Sequence, residues 1–212
     1  WFETTDTLKA IGDDYRFRWS RAWSDPVQRP PTTYATLQAN RDKFAAVFVA
    51  VPEIESLYKA RLRAITESAG TRHALAVMSF AKDTGGFPLS LAATRPRYIP
   101  RVDADPLNNA KVDGRDPVIE YFVPIRDTAR GRNERDVPEP HEIVIINPDG
   151  EDVAFRLRDD QFVVYSVGTD SQKNWASEVQ NTTDAPPGRD YLFWPPVLSL
   201  LRQDMIDRGR LR

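Results

Sequence analysis

Apolar positions recur at helical spacing through the first part of the chain. After Pro30 and Pro31, Thr32 or Thr33 suits an N-cap, and Leu37, Phe44, Val47, Phe48 and Val51 follow near the helical period. Pro52 fits the first turn of a further helix. Ile54, Leu57, Tyr58, Leu62 and Ile65 then form an apolar face, with Arg61, Arg63 and Glu67 off it. Gly70 is positioned to break that helix, and Thr71 to cap another carrying His73, Leu75, Val77, Met78 and Phe80. Asp83, Thr84, Gly85 and Gly86 end it. The opening stretch is less decided. Phe17 and Trp19 alternate with Arg16 and Arg18 as in a strand, while Trp19 and Trp23 stand four apart as in a helix.

The pattern changes beyond residue 87. Pro88, Pro96, Pro100 and Pro106 punctuate a loop through residue 116, each pushing its predecessor toward extended geometry. Val118 to Val123, His141 to Asn147, Asp152 to Leu157 and Gln161 to Val167 read as strands. Residues 126 to 140 form a charged loop, and Pro148-Asp149-Gly150 and Asp159-Asp160 are turns. The three runs from 141 to 167 predict an antiparallel meander. Tyr191 to Trp194 is positioned to rejoin it. Pro195 and Pro196 open a closing helix with Val197, Leu198, Leu200, Leu201 and Met205. Helices first and strands afterwards give an α+β fold. Its sheet is antiparallel, of three to four strands, packed on a long helix. Ile54, Leu57, Leu62, Leu75 and Phe80 are the expected helix side of the core, and Phe155, Leu157, Phe162, Val164 and Phe193 the sheet side. Residues 1–70 make a helical, Trp-rich region and residues 71–212 the α+β domain.

Composition narrows the function. The 212 residues are 41% hydrophobic and 28% charged, enough for a core. A net charge of -2 argues against a nucleic-acid partner. The absence of Cys removes disulfides and thiolate chemistry, and His73 and His141 are the only imidazoles. No apolar run reaches the ~20 residues of a membrane span. The chain starts at Trp1, so an upstream signal or anchor is expected to have preceded it.

Phosphate-binding glycine loops and the G-x-S-x-G elbow are missing. Ser166 stands at a strand end as a structural serine. Asp13/Asp14, Asp103/Asp105 and Asp159/Asp160 read as turn or cap residues, and both histidines as packing residues. The polar loop from Gly168 to Asp190 is the richest stretch. It offers Asp170, Ser171, Asn174, Asp184 and Asp190 to a hard cation such as Ca²⁺, in a spacing unlike an EF-hand. Asn181-Thr182-Thr183 is a glycosylation sequon.

Residues 72 to 194 carry a resemblance. Ala74-Leu75-Ala76-Val77-Met78-Ser79-Phe80-Ala81-Lys82-Asp83-Thr84-Gly85-Gly86-Phe87-Pro88-Leu89 is similar to the helix-to-loop passage of type II secretion major pseudopilins. Asp103-Ala104-Asp105-Pro106 resembles the Asp-Pro that closes the family's loop, and Tyr165-Ser166-Val167-Gly168-Thr169-Asp170 its late Tyr-Ser-x-Gly-x-Asp strand. A similar block occurs in anchored envelope proteins of planctomycete-like bacteria. About 70 residues precede the block here, and Ser171-Gln172-Lys173-Asn174 replaces the family's Gly-rich acidic run. The resemblance implies a pseudopilin-like fold and a non-catalytic envelope protein, periplasmic or extracellular, membrane-associated only through an anchor upstream of Trp1. It implies partners among envelope or secretion-system proteins, self-assembly, and calcium at Asp170 and Asp190. Trp1, Phe2, Trp19, Trp23 and Trp175 are either contact points for those partners or core residues. Two other classes stay open: a glycan- or peptide-binding module using the Trp-rich N-terminal region, and a hydrolase using an Asp pair.

Overall fold

The computed structural model describes residues 2–21, 25–28, 30–51, 54–108, 116–124, 126–127, 141–146, 152–158, 160–168, 170–181 and 188–211. Trp1, Trp23, Pro52, Asp159, Asp184, the 148–150 turn, Thr182 and Thr183 of the sequon, and nearly all of the 126–140 loop lie outside them. The chain divides into two compact units, Trp1–Ile65 and Thr66–Arg212.

In the first unit, α1 (Phe2–Trp19) takes up the undecided opening stretch as helix. Leu8, Ile11 and Tyr15 form its buried stripe at helical spacing, so the strand-like alternation at 16–19 sits on a helix end. The helix expected beyond Thr32 is two short ones, α2 (Thr33–Gln38) and α3 (Ala45–Ala50), joined through polar turns at 39–44. Thr32 is the cap of α2, accepting from Ala35 N at 3.1 Å. Tyr34, Val47, Phe48, Tyr58 and Leu62 complete this core with Ile11 and Tyr15.

Helix α4 (Ile54–Thr84) runs unbroken through Gly70. Gly70 meets the ring of Phe193, and a Cβ there would fall within ring-atom distance. Gly70 therefore serves close packing, which offsets its poor helix propensity of about 1 kcal/mol. Thr71 is inside the helix and caps nothing. The buried face of α4 follows Tyr58, Leu62, Thr66, Ala69, His73 and Val77. Leu57 and Leu75, expected in the core, are 64% and 56% exposed, because they lie off that face. Leu62 is buried as expected. Gly85, at φ 78°, ends the helix with its N–H on Ala81 O at 2.8 Å.

In the second unit, short 3₁₀ turns interrupt the expected loop at Leu91–Thr94. The strands are β1 (Glu120–Phe122), β2 (Glu142–Ile145), β3 (Val153–Arg156), β4 (Val163–Ser166), β5 (Glu178–Val179) and β6 (Tyr191–Trp194). The fold is α+β, as the order of elements predicts. The expected meander is shared between two three-stranded sheets, β1-β4-β6 and β3-β2-β5. β2 and β3 form the antiparallel hairpin, with Ile143 opposite Phe155. β4 leaves it to pair with β1 and β6, and as the central strand of that sheet it has all four residues buried. β5, inside the polar loop, pairs parallel to β2. Phe122, Ile143, Leu157, Val163, Tyr165 and Leu192 are central to the core. Of the expected sheet residues, Leu157, Phe162, Val164 and Phe193 are buried, and Phe155 is half-buried against the same cluster. Helix α5 (Val197–Asp207) closes the chain and packs Val197, Leu200 and Leu201 against it.

Candidate functional site

The polar loop begins where β4 ends. Ser166 Oγ accepts from Gly168 N at 3.0 Å, holding the strand exit. Gly168 has φ 75°, and a Cβ on it would stand 2.8 Å from Arg189 O, so the two ends of the loop meet there.

Asp170 binds the loop to itself. Its Oδ1 accepts from Gln172 N at 3.0 Å, and its Oδ2 accepts from Gly188 N. Asn174 donates Nδ2 to the carbonyls of Gly188 and Glu178. Its Oδ1 is buried with no hydrogen-bond partner. Ser171, Trp175 and Ala176 adopt φ of 61°, 61° and 56°, a left-handed geometry unusual for residues with a Cβ. Ala176 is held by its N–H, which donates to Asp190 Oδ2 at 2.7 Å. Asn181 clamps Leu192 with both ends of its amide, at 2.7 and 2.9 Å. Ser171 turns outward from this set and donates to Asn108 Oδ1 at 2.7 Å.

Asp190 is fully buried, and its Oδ1 has no partner. Burial pushes its carboxyl up to about 7, and the charges of Asp170 and Asp105 add to this against the hydrogen bonds of Ala176 and Asn174. Asp105, outside the loop, is raised in the same way. Its Oδ1 caps a turn, accepting from Leu107 N at 3.0 Å and Asn108 N at 3.3 Å. The carboxyl is fully buried, and burial raises it to about 6 against hydrogen bonds from Ser166, Leu107, Asn108 and Val167. The Tyr165 hydroxyl is buried and unpartnered as well. Burial first, and then Glu120, Asp190 and Asp105, hold it protonated.

Of the five expected ligands, Asp170, Asn174 and Asp190 share this cluster. Ser171 spends its hydroxyl on Asn108, and Asp184 lies outside the described residues. Among the described residues no three carboxylate or imidazole side chains are grouped to hold a metal. A cation here would rest on carboxylates supplemented by neutral oxygens. The unpartnered oxygens of Asp190 and Asn174 fit a hard, oxygen-seeking ion. Asp105 caps a turn, as the sequence suggests, while no local signal marks the Tyr165 hydroxyl as buried. The Asp-Pro pair at 105–106 signalled a turn, but nothing local signals that the second carboxylate oxygen is buried.

The remaining candidates do other work. His73 is buried on α4, where Asp103 N donates to its Nε2 at 3.1 Å. Nδ1 must then carry the proton, donated to Ala69 O at 2.8 Å. His141 opens β2, buried edge-to-face on Phe122 with centroids 4.8 Å apart. Neither ring nitrogen of His141 has a partner, and burial pushes it down to about 4. Asp13, Asp14 and Asp103 pair with Arg16, Arg18 and Arg72, and Asp160 with Arg158. Trp19 is half exposed with Arg61 over its ring, Trp175 carries Lys173 over its ring, and Trp194 stacks on Phe162. A cleft of about 400 Å³ lined by Leu89, Leu91, Val102, Val118, Ile119 and Glu120 is mostly apolar. Its one carboxylate pairs with Lys173 at 2.9 Å.

No helix among the described residues is long and apolar enough to cross a membrane. Comparison with protein-family models, with curated proteins and with solved structures gives no match for this chain.

Proposed function

We propose that this chain is a non-catalytic structural or assembly protein of the cell envelope, of the kind its resemblance to type II secretion pseudopilins implies. A hard divalent cation such as Ca²⁺ orders its 168–190 loop. One observation carries this reading: the loop's polar side chains bind their own backbone, yet leave buried oxygens open. Asp170, Asn174 and Asp190 hold Gln172, Gly188 and Ala176, while Asp190 Oδ1 and Asn174 Oδ1 have no partner. A reacting group needs access to substrate, whereas Asp190 is sealed. Such a loop presents a fixed outer surface to other proteins. A bound cation supplies the positive charge that the two loop carboxylates lack.

Two experiments test the reading. Thermal melting of the chain in Ca²⁺ and in chelator should differ by several degrees, with the loop protease-resistant only in Ca²⁺. Identical melting and cleavage in both would remove the cation from the proposal. Fractionation of source cells with an antibody to this chain should recover it with the envelope, and recovery solely from the cytosol would overturn the envelope assignment.

A further inference from the structure

The apolar cleft of about 400 Å³ lies along β1. Val118, Ile119, Glu120 and Tyr121 line it together with Leu89 and Leu91. Leu89 is 65% exposed and Val118 47%, so apolar surface stands open to water here. The one charged residue of the lining, Glu120, is already paired with Lys173 at 2.9 Å. Such a cleft suits an apolar, uncharged group.

The strand beside it narrows the choice of occupant. β1 is an outer strand of its sheet, whose order is β1-β4-β6. β4 pairs with one side of it, and among the described residues no further strand joins the sheet at β1. The chain closes both ends of this edge itself. Before β1, Ala104 bridges Val118 and Asp105 N donates to Pro117 O at 2.8 Å. After it, Val123 N donates to Asp127 Oδ2 at 2.7 Å, and Val123 O accepts from Asp127 N at 2.9 Å. Between the two closures lie Ile119, Glu120 and Tyr121, which line the cleft.

Edge strands carry unpaired backbone groups, which proteins commonly guard with Lys, Pro or a bulge. Glu120-Tyr121-Phe122 has none of the three, and its register with β4 is regular. A small apolar molecule would use the cleft alone. An extended peptide uses both features, its backbone on the edge and an apolar side chain in the cleft.

We propose that β1 is a docking edge for an extended peptide segment of a protein partner, which adds as a further strand and seats an apolar side chain between Leu89 and Val118. The lining residues lie outside the 168–190 loop, so this surface stands whether or not that loop holds a cation. It gives the assembly role a contact surface without resting on the envelope assignment.

Selection of a phage-displayed library of short random peptides on the immobilised chain tests this. Enriched peptides should carry apolar residues at alternate positions, and no enrichment over blank support overturns the proposal. The most enriched peptide, made synthetically, should slow amide hydrogen exchange at residues 119–122. Binding without that protection overturns strand addition. Leu89→Asp adds a charge at an exposed position and leaves the fold intact. It should weaken the peptide roughly tenfold or more, whereas Leu198→Asp, 80% exposed on α5, should not. Equal affinity of Leu89→Asp and wild type overturns the site. A wild-type dimer in analytical ultracentrifugation that Leu89→Asp converts to monomer makes a second copy the occupant and overturns the peptide assignment.

Discussion

Two polar networks, one in each unit, are built to opposite specifications. In the first unit, Arg18 is buried and uses its whole guanidinium. Nε meets Asp14 Oδ1 at 2.6 Å, and Nη1 and Nη2 donate to the carbonyls of Pro30 and Pro31. Asp14 in turn accepts from Thr33 N at 2.6 Å. Glu55 accepts from Tyr15 and from Thr32, and Tyr58 donates to Gln28. Among the described residues no buried side-chain atom of the first unit lacks a partner. Such orphans belong to the second unit: His141, Tyr165, Asn174, Arg189 and Asp190. A closed network fixes a shape, whereas an open one is completed by something from outside. The proposed cation site falls within the open network of the second unit.

The comparison can be broken at its closed side first. Arg18→Ala leaves Asp14 and two proline carbonyls without their donor. It should cost roughly 3–5 kcal/mol by denaturant unfolding, the usual price of halving a buried pair. A loss near zero would mean that water replaces the guanidinium and the network is not closed.

On the open side, pH sharpens the contrast. Asp190 at about 7 and Asp105 at about 6 bind protons more tightly folded than unfolded. In chelator, their contribution is complete below about pH 4 and is lost as pH rises through 7, on the order of 4 kcal/mol for Asp190. His141 works the other way. Its depressed value, about 4, makes stability rise with pH between 4 and 6.5. Melting curves in chelator should therefore show a net fall from pH 4 to 7. Asp190→Asn should flatten it, and saturating Ca²⁺ should reverse it. A pH-independent melt of wild type would contradict the open network.

Smaller effects complete the series. Thr32→Ala removes the α2 cap and one donor to Glu55, and should cost about 1 kcal/mol by the same unfolding assay. His141→Phe replaces two orphan nitrogens with ring carbon beside Phe122. It should leave stability at pH 7 unchanged or raise it by up to about 1 kcal/mol. It should also steepen the acid-side slope, since only the carboxyls then titrate.

What the sequence discloses follows from how local each signal is. Thr32 as cap, Gly85 as terminator and Pro196 before the last helix depend on a few adjacent residues, and all three stand where the pattern puts them. Gly70 misleads because its reason is Phe193, 123 positions away. Leu57 and Leu75 mislead because apolar residues lie on several faces of α4, and only packing selects the Tyr58–Leu62–Thr66 face. β4 reads correctly as a strand, but its neighbours are β1 and β6, distant in sequence, rather than the strand before the adjacent turn. Asp170, Asn174 and Asp190 are legible as oxygen donors in a long polar loop. Asp105 is not, since an Asp before Pro looks the same whether its second oxygen faces water or the interior.

The sheet order also sets how much loop-closure entropy each pairing costs. Ile145 and Val153 pair across a short connection, so the β2–β3 hairpin closes cheaply and early. Glu120 and Tyr165 pair across 45 positions, and that excursion contains the whole hairpin. Forming the hairpin first shortens the chain that must be looped to bring β1 to β4. The same nesting recurs downstream, because the stretch from β4 to β6 contains β5, which docks on β2. The long-range pairings of each sheet thus enclose strands of the other, so forming either one shortens the loops the other must close.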